Sequence, residues 1–429
     1  MVVGDGAANG SISTSANIIN NANLSFNRSI DTEYSGNLSG NIAANLKQDG
    51  SGLLTFSGNG TDYLGSVSLN AGTVKLNATN AIGTTNGGLI SFNGGTLQYT
   101  SNFNSDNSVR FSPADGQQFK IDTNGQLITF GSILSGNGSS LTKLGSGNLT
   151  LTTNNTYTGN TTIEAGTLVV GDGATNGSIA TTNAIVDNGT LIFNRSDNIT
   201  LAKVISGTGQ LAKNGSGSLR LTATNTYFGA TTINAGSLII GDGAANGSIA
   251  NTSGITTNSD LVFQRSDDII QAGVISGNGN VTQNGSGIVS FTATNTYSGT
   301  TTIERGTLSI GAGGTTGSIE NIASVINNGT LMFNHSNDIN LNAAIAGPGN
   351  LTQAGTGNLT LTGTNTYTGS TTIQAGTLII GDGGVNGSID TTSNIIDNGT
   401  LIFNHSDPLT LAKAISGSGN LIKAGRSEE

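Results

Sequence analysis

No cysteine occurs in the chain, which excludes thiol chemistry, disulfides and cysteine-ligated zinc. The absence fits a protein exported unfolded through an oxidising compartment. It is equally what a composition biased towards Gly, Asn and Thr gives. Charge is scarce as well: Asp, Glu, Lys and Arg make up 9% of the chain, with 15 basic residues scattered singly among 25 acidic ones. At a formal net charge of −10 there is no basic stripe to neutralise phosphates, so no nucleic-acid partner is expected. An anionic membrane surface would repel the chain for the same reason. No apolar run approaches the roughly 18 residues a membrane helix needs. The N-terminal MVVGDGAANGSIS lacks the basic and apolar regions of a signal peptide. With only 3 prolines beside 66 glycines, neither a collagen-like nor a Pro-rich linker reading is available.

What is present is a repeat. GTGNLTLTGTNTYTGSTTIQAGTL begins at Gly355, and close versions begin at Gly145, Gly215 and Gly285. Their tyrosines fall at Tyr157, Tyr227, Tyr297 and Tyr367, a period of 70 residues. A length of 429 residues would by itself suggest two or three domains, but self-similarity at a fixed period overrides that prior. A degenerate copy, GSGLLTFSGNGTDYLGSVSLNAGTV, runs from Gly50 to Val74. The next copy starts at Gly145, about 25 residues later than the period requires, which predicts one extra coil. We therefore read 1–49 as a partial repeat and 50–144 as a degenerate repeat with about one extra coil. Regular repeats follow at 145–214, 215–284, 285–354 and 355–425, and 426–429 is an out-of-register tail. Pro113, in FSPADG, is expected in a turn.

Leucines two apart in NLTLT carry the period-2 signal of strands, and helical periodicity is absent throughout. Three strand-bearing coils of about 23 residues fit one repeat, a length that one turn of a β-solenoid can use. About 18 coils are expected in all. A single copy cannot bury its apolar face alone, whereas several stacked copies can.

The pattern Gly-x-Gly-x-Leu-x-Leu, Asn-x-Tyr-x-Gly, Thr-x-Ile-x-x-Gly-Thr-Leu resembles the passenger-associated β-strand repeat of bacterial autotransporters. AIGTTNGGLISFNGGTLQYT from Ala81 and IDTNGQLITFGSILSGNGSSLTKLG from Ile121 are similar to such passengers generally. The resemblance implies an all-β, right-handed parallel β-helix with about three coils per repeat. It implies display on, or secretion from, a Gram-negative cell, with a role in adhesion or virulence. Its partners would be host or sister-cell surface components, and an outer-membrane β-barrel translocator is expected outside this chain. Both ends break inside a repeat: VVGDGAANGSI at Val2 matches the stretch that follows AGTL at Val169, and RSEE interrupts the register after Gly425. The open coils predict edge-to-edge self-association. With no signal or barrel in view, the chain alone is not expected to export itself.

Candidate sites are each weighed against a plainer reading. Gly-Asp-Gly recurs at Gly4, Gly171, Gly241 and Gly381, with GAG at Gly311. One carboxylate in three coils is a poor calcium cage, so tight turns are expected there. His335 and His405 share one repeat phase, which arginine holds at Arg28, Arg195 and Arg265. Three coils of about 4.8 Å would hold same-phase residues roughly 14 Å apart, too far to share a metal, and a surface position is expected. Paired carboxylates, as in polysaccharide-cleaving β-helices, would need acids on adjacent coils. Asp172, Asp187 and Asp197 stand in one repeat, but another repeat has Ala312, Asn327 and Asn337 at those phases. No G-x-S-x-G turn occurs either. Asn155, Asn225, Asn295 and Asn365 are expected to satisfy backbone groups in a turn, with the following tyrosine covering an edge. Sequons such as Asn9-Gly-Ser and Asn246-Gly-Ser follow from composition. The TTI segments are too sparse for an ice-binding face. No catalytic, cofactor or metal site is assigned. The leading expectation is a non-enzymatic passenger stalk, and the alternative is a carbohydrate-active β-helix of polysaccharide-lyase or tailspike type.

Overall fold

A computed structural model describes residues 1–249, 254–408 and 410–425, so the tail 426–429 lies outside the described residues. Two compact units are present, Met1–Asp197 with Ala202–Ala212 and Asn198–Leu201 with Lys213–Glu429. Both are parallel β-solenoids, and the described strands make about 21 turns in total.

In the first unit, one sheet stacks Thr32–Tyr34, Leu53–Phe56, Thr73–Leu76, Thr96–Gln98, Gln118–Asp122, Ser140–Leu144, Thr161–Ile163, Ile185–Asp187 and Ile205–Ser206. A second stacks Asn23–Phe26, Asn45–Gln48, Ser66–Leu69 and Ile90–Phe92, and a third carries Leu127–Phe130, Asn148–Leu151, Thr167–Val170 and Thr190–Phe193. Alternation decides what goes inside. Along Asn148–Leu151, Leu149 and Leu151 are buried while Asn148 and Thr150 are partly exposed. Each such leucine stabilises the stack by roughly 2 kcal/mol through apolar burial alone. Four ladder steps, Leu54–Val74–Leu97–Ile121–Lys143, separate the strand Leu53–Phe56 from the level of Asn148–Leu151. Pro113 is exposed and lies between the strands, ahead of Gln118–Asp122.

The second unit reveals how the repeat is wound. Ser218–Leu221, Ile288–Phe291 and Asn358–Leu361 are the same strand of three successive copies, yet they lie on three different sheets. Leu219 continues to Leu238, Leu261 and Val281; Val289 to Leu308, Leu331 and Leu351; Leu359 to Leu378, Leu401 and Leu421. Each copy makes three turns on one face and then starts the next copy on the following face. A copy of 70 residues is thus three and a third turns. Ladder partners stand 19 to 24 residues apart, as in Leu359–Leu378 and Thr371–Ile395, and 70 residues over three and a third turns average about 21 per coil, shorter than the 23 expected, which yields more turns than 18.

Candidate functional site

The polar clusters are built at the corners, and the Gly-Asp-Gly loops make one of them. Gly171 and Gly173 have φ of 90° and 96°, and the Asp172 carboxylate accepts the Ala174 N–H at 3.1 Å. The same closure recurs with Asp242 to Ala244 at 3.0 Å and Asp382 to Gly384 at 3.0 Å. These are the tight turns expected, with the carboxylate consumed by its own loop.

Beneath each loop lies the Arg/His position of the next coil. Arg195 donates from Nε and Nη2 to both Asp197 oxygens at 2.8 and 2.7 Å, and its remaining donors reach the carbonyls of Thr175 and Gly177. Hydrogen-bonded to that guanidinium, the Asp197 carboxyl is held below its ordinary value. Arg265 repeats the arrangement with Asp267 at 2.9 and 2.6 Å and with the carbonyls of Gly247 and Ala245. His335 and His405 occupy the same place and are 4% and 5% exposed, so the surface position expected for them is wrong. The cause is the glycine above: a Cβ on Gly311 would fall 2.4 Å from the His335 ring, and only its absence lets the imidazole fold inward. His335 Nδ1 meets Asn337 Oδ1 at 3.0 Å. The two histidines follow strands on different sheets, Thr330–Phe333 and Thr400–Asn404, and form no dyad.

The Asn-x-Tyr corners form a second cluster. Asn295 Nδ2 donates to the carbonyls of Ala293 and Ser318 at 3.1 and 3.0 Å, while its Oδ1 accepts the Ile275 N–H at 2.8 Å. One amide side chain thereby joins three coils where the ladder lapses, as expected of these asparagines. Asn155 does the same for Thr153, Ser178 and Leu134, and Asn365 for Gly363, Ser388 and Ile345. The tyrosines do not cover an edge. Tyr157, Tyr297 and Tyr367 are buried, each with its hydroxyl hydrogen-bonded to the inward threonine four residues on, at 2.6, 2.7 and 2.5 Å. Desolvation raises the Tyr157 phenol well above its ordinary value. The first threonine of each TTI therefore points inward rather than onto a flat face.

Interior donors escaped sequence reasoning. Lys143 is fully buried and its ammonium donates to the carbonyls of Leu144, Gly145 and Ala165 at 2.8, 2.7 and 3.0 Å. Burial lowers its pKa to about 8, against a smaller opposing effect of Asp122. Gln283 and Gln353 hold the same repeat position and cap the corner carbonyls of Gly287 and Gly357 at 2.8 Å each. Arg110 does likewise in the irregular segment, reaching Gly88 and Ile82 carbonyls at 2.8 Å. The signal was parity, since Lys143 stands two residues after the inward Leu141.

Of the three acids weighed as carboxylate partners, Arg195 draws the Asp172 loop and Asp197 together, whereas Asp187 lies elsewhere in the interior. Burial raises the Asp187 carboxyl to about 6 despite N–H donors at Gly189 and Leu191. Its ladder neighbour is Ile163, not a second acid. Among the described residues no group of three or more His, Asp or Glu side chains could hold a metal. Asn9 and Asn246 are exposed in their loops.

Five segments match the passenger-associated-transport-repeat: residues 46–76, 141–170, 211–240, 281–310 and 351–380. Each contains one interior donor (Gln48, Lys143, Lys213, Gln283, Gln353) and one corner tyrosine (Tyr63, Tyr157, Tyr227, Tyr297, Tyr367). Over 169 residues, 35% of the chain, the sequence is 38% identical to the adhesin BmaC autotransporter of Brucella suis biovar 1 (strain 1330). The match spans 5% of that relative's length. No solved structure matches the chain.

Proposed function

The chain is built of autotransporter passenger repeats, and from that premise we propose that it acts as a non-enzymatic passenger region that holds a larger protein's adhesive surface out from the cell. Passenger domains of this kind are displayed on, or secreted from, Gram-negative bacteria, and the family implies a separate outer-membrane translocator. The observation that carries the reading is the use made of the polar side chains. Asp172, Asp197, Arg195, Arg265 and the corner asparagines all spend their hydrogen bonds on loop and coil closure. A carbohydrate-cleaving solenoid needs paired acids turned towards substrate, and here Asp187 stands alone in its ladder. The relative's adhesin description supports adhesion to host or sister cells as the role.

The test is display. Fused behind a signal peptide and ahead of an autotransporter barrel, the full chain is expected to become protease-accessible on intact cells. Those cells should settle together or bind epithelial monolayers more than cells carrying the barrel alone. Surface exposure without any gain in either kind of adhesion would overturn the adhesive reading.

A further inference from the structure

The regular copies repeat one sequence, so each serves as a control for the others. The copy 215–284 departs from its sisters at two outward positions. Phe228 is 59% exposed where the other copies place Thr158, Ser298 and Thr368. Ile270, two coils further on, is 56% exposed where they place Thr200, Asn340 and Thr410. A third departure points inward: Gln271 is buried where the sisters have Leu201, Leu341 and Leu411. All three line one cavity of about 690 Å³, together with Thr226, Ile249 and Phe263. Nothing in the winding demands these changes, because the sister copies fold the same coils without them.

We propose that this cavity is a binding site for a neutral saccharide, with a sugar ring stacked on Phe228. Size comes first, since about 690 Å³ falls in the range of pockets that enclose a small ligand. Charge comes second. The cation in the wall, Arg265, is held by both oxygens of Asp267 at 2.9 and 2.6 Å, so the site offers no unpaired charge to an ionic ligand. The mixture of surfaces comes third. An exposed phenyl ring beside Ile270 presents an apolar platform, and hydroxyl and amide groups of Thr224, Thr226, Ser248 and Gln271 share the same walls. An acyl chain would bury those polar groups without replacing their hydrogen bonds. A pyranose offers a C–H face to the ring and hydroxyls to the polar wall.

This inference deepens the adhesive reading and rests on it, but its test uses purified chain without cells, so either can fail alone. The full chain is titrated calorimetrically with maltotetraose, cellotetraose, chitotetraose and lacto-N-tetraose. At least one is expected to bind, and Phe228→Thr should weaken it about tenfold or more. Phe228→Tyr, which keeps the ring, should retain binding. Because two sister copies already carry threonine at this phase, Phe228→Thr should leave the circular dichroism and unfolding midpoint unchanged. The proposal is overturned if none of the four sugars binds, or if Phe228→Thr binds as well as the parent. It is likewise overturned if a Leu/Phe-rich peptide, and no sugar, binds in a Phe228-dependent way.

Discussion

Leu361→Asp is expected to lower stability by about 4 kcal/mol or more, the range reached when an unpartnered charge enters a packed interior. Leu361 is fully buried, with Leu341 and Ile380 as its ladder neighbours on the coils before and after. A carboxylate there would stand between two aliphatic ladder neighbours, and protonating it still leaves a polar group inside. Coils depend on their neighbours, so the damage should spread by one or two coils rather than remain at the site. Hydrogen exchange would locate it, with protection lost around Leu341 and Ile380. Thr360 is the comparison: it lies on the same strand, half-exposed, and Thr360→Asp should shift stability by no more than about 0.5 kcal/mol. Equal effects of the two substitutions would remove the claim that strand parity sets the interior.

Gly355→Ala is the second large effect, and it tests close approach rather than backbone freedom. A Cβ on Gly355 would sit 2.0 Å from the carbonyl oxygen and 2.2 Å from the nitrogen of His335, on the preceding coil. Both are backbone atoms of a corner tied into the stack, where Gly355 N–H donates to the Phe333 carbonyl at 3.2 Å. Neither can retreat without opening the Phe333–Gln353 ladder. The expected loss is about 3 kcal/mol, at the upper end for overpacking, and urea midpoints would measure it. Gly314→Ala, in a loop where an added Cβ meets nothing within 4 Å, should be neutral or slightly stabilising.

These contrasts mark where the sequence could and could not be read. Leu359 and Leu361 declared their direction through alternation, and the 70-residue period declared a stack. The corner asparagines were read from their capacity to satisfy backbone groups, and Asn295 does so for three coils. Burial of His335 was hidden because it depends on Gly311, 24 residues away in the chain but directly above in space. Lys143 and Gln283 were hidden by chemistry, since an interior cation or amide is tolerable only where carbonyls converge, and the corner that converges them is a property of the fold. The count of turns was hidden in corner lengths. Steps of 19, 23 and 20 residues, as in Leu359–Leu378–Leu401–Leu421, add up to less than a copy, and the remainder carries each copy on to a new face. Equivalent residues of successive copies therefore share an environment but not a direction. That separation is why a feature such as Phe228 can belong to one face of one copy.

The central claim is the parallel winding at three and a third turns per copy, and paired cysteines test it most directly. The chain has no cysteine of its own, so any disulfide reports only the introduced pair. Thr360 and Ile379 are ladder partners in parallel strands of adjacent coils, within the Cα spacing a disulfide bridges. The double variant Thr360→Cys, Ile379→Cys is expected to close under mild oxidation in the folded protein and to stay open in urea. Thr360→Cys with Ser290→Cys joins the same position of two successive copies, which lie on different sheets, and is expected to stay open under both conditions. Closure of the Thr360–Ser290 pair with the Thr360–Ile379 pair left open would contradict the winding.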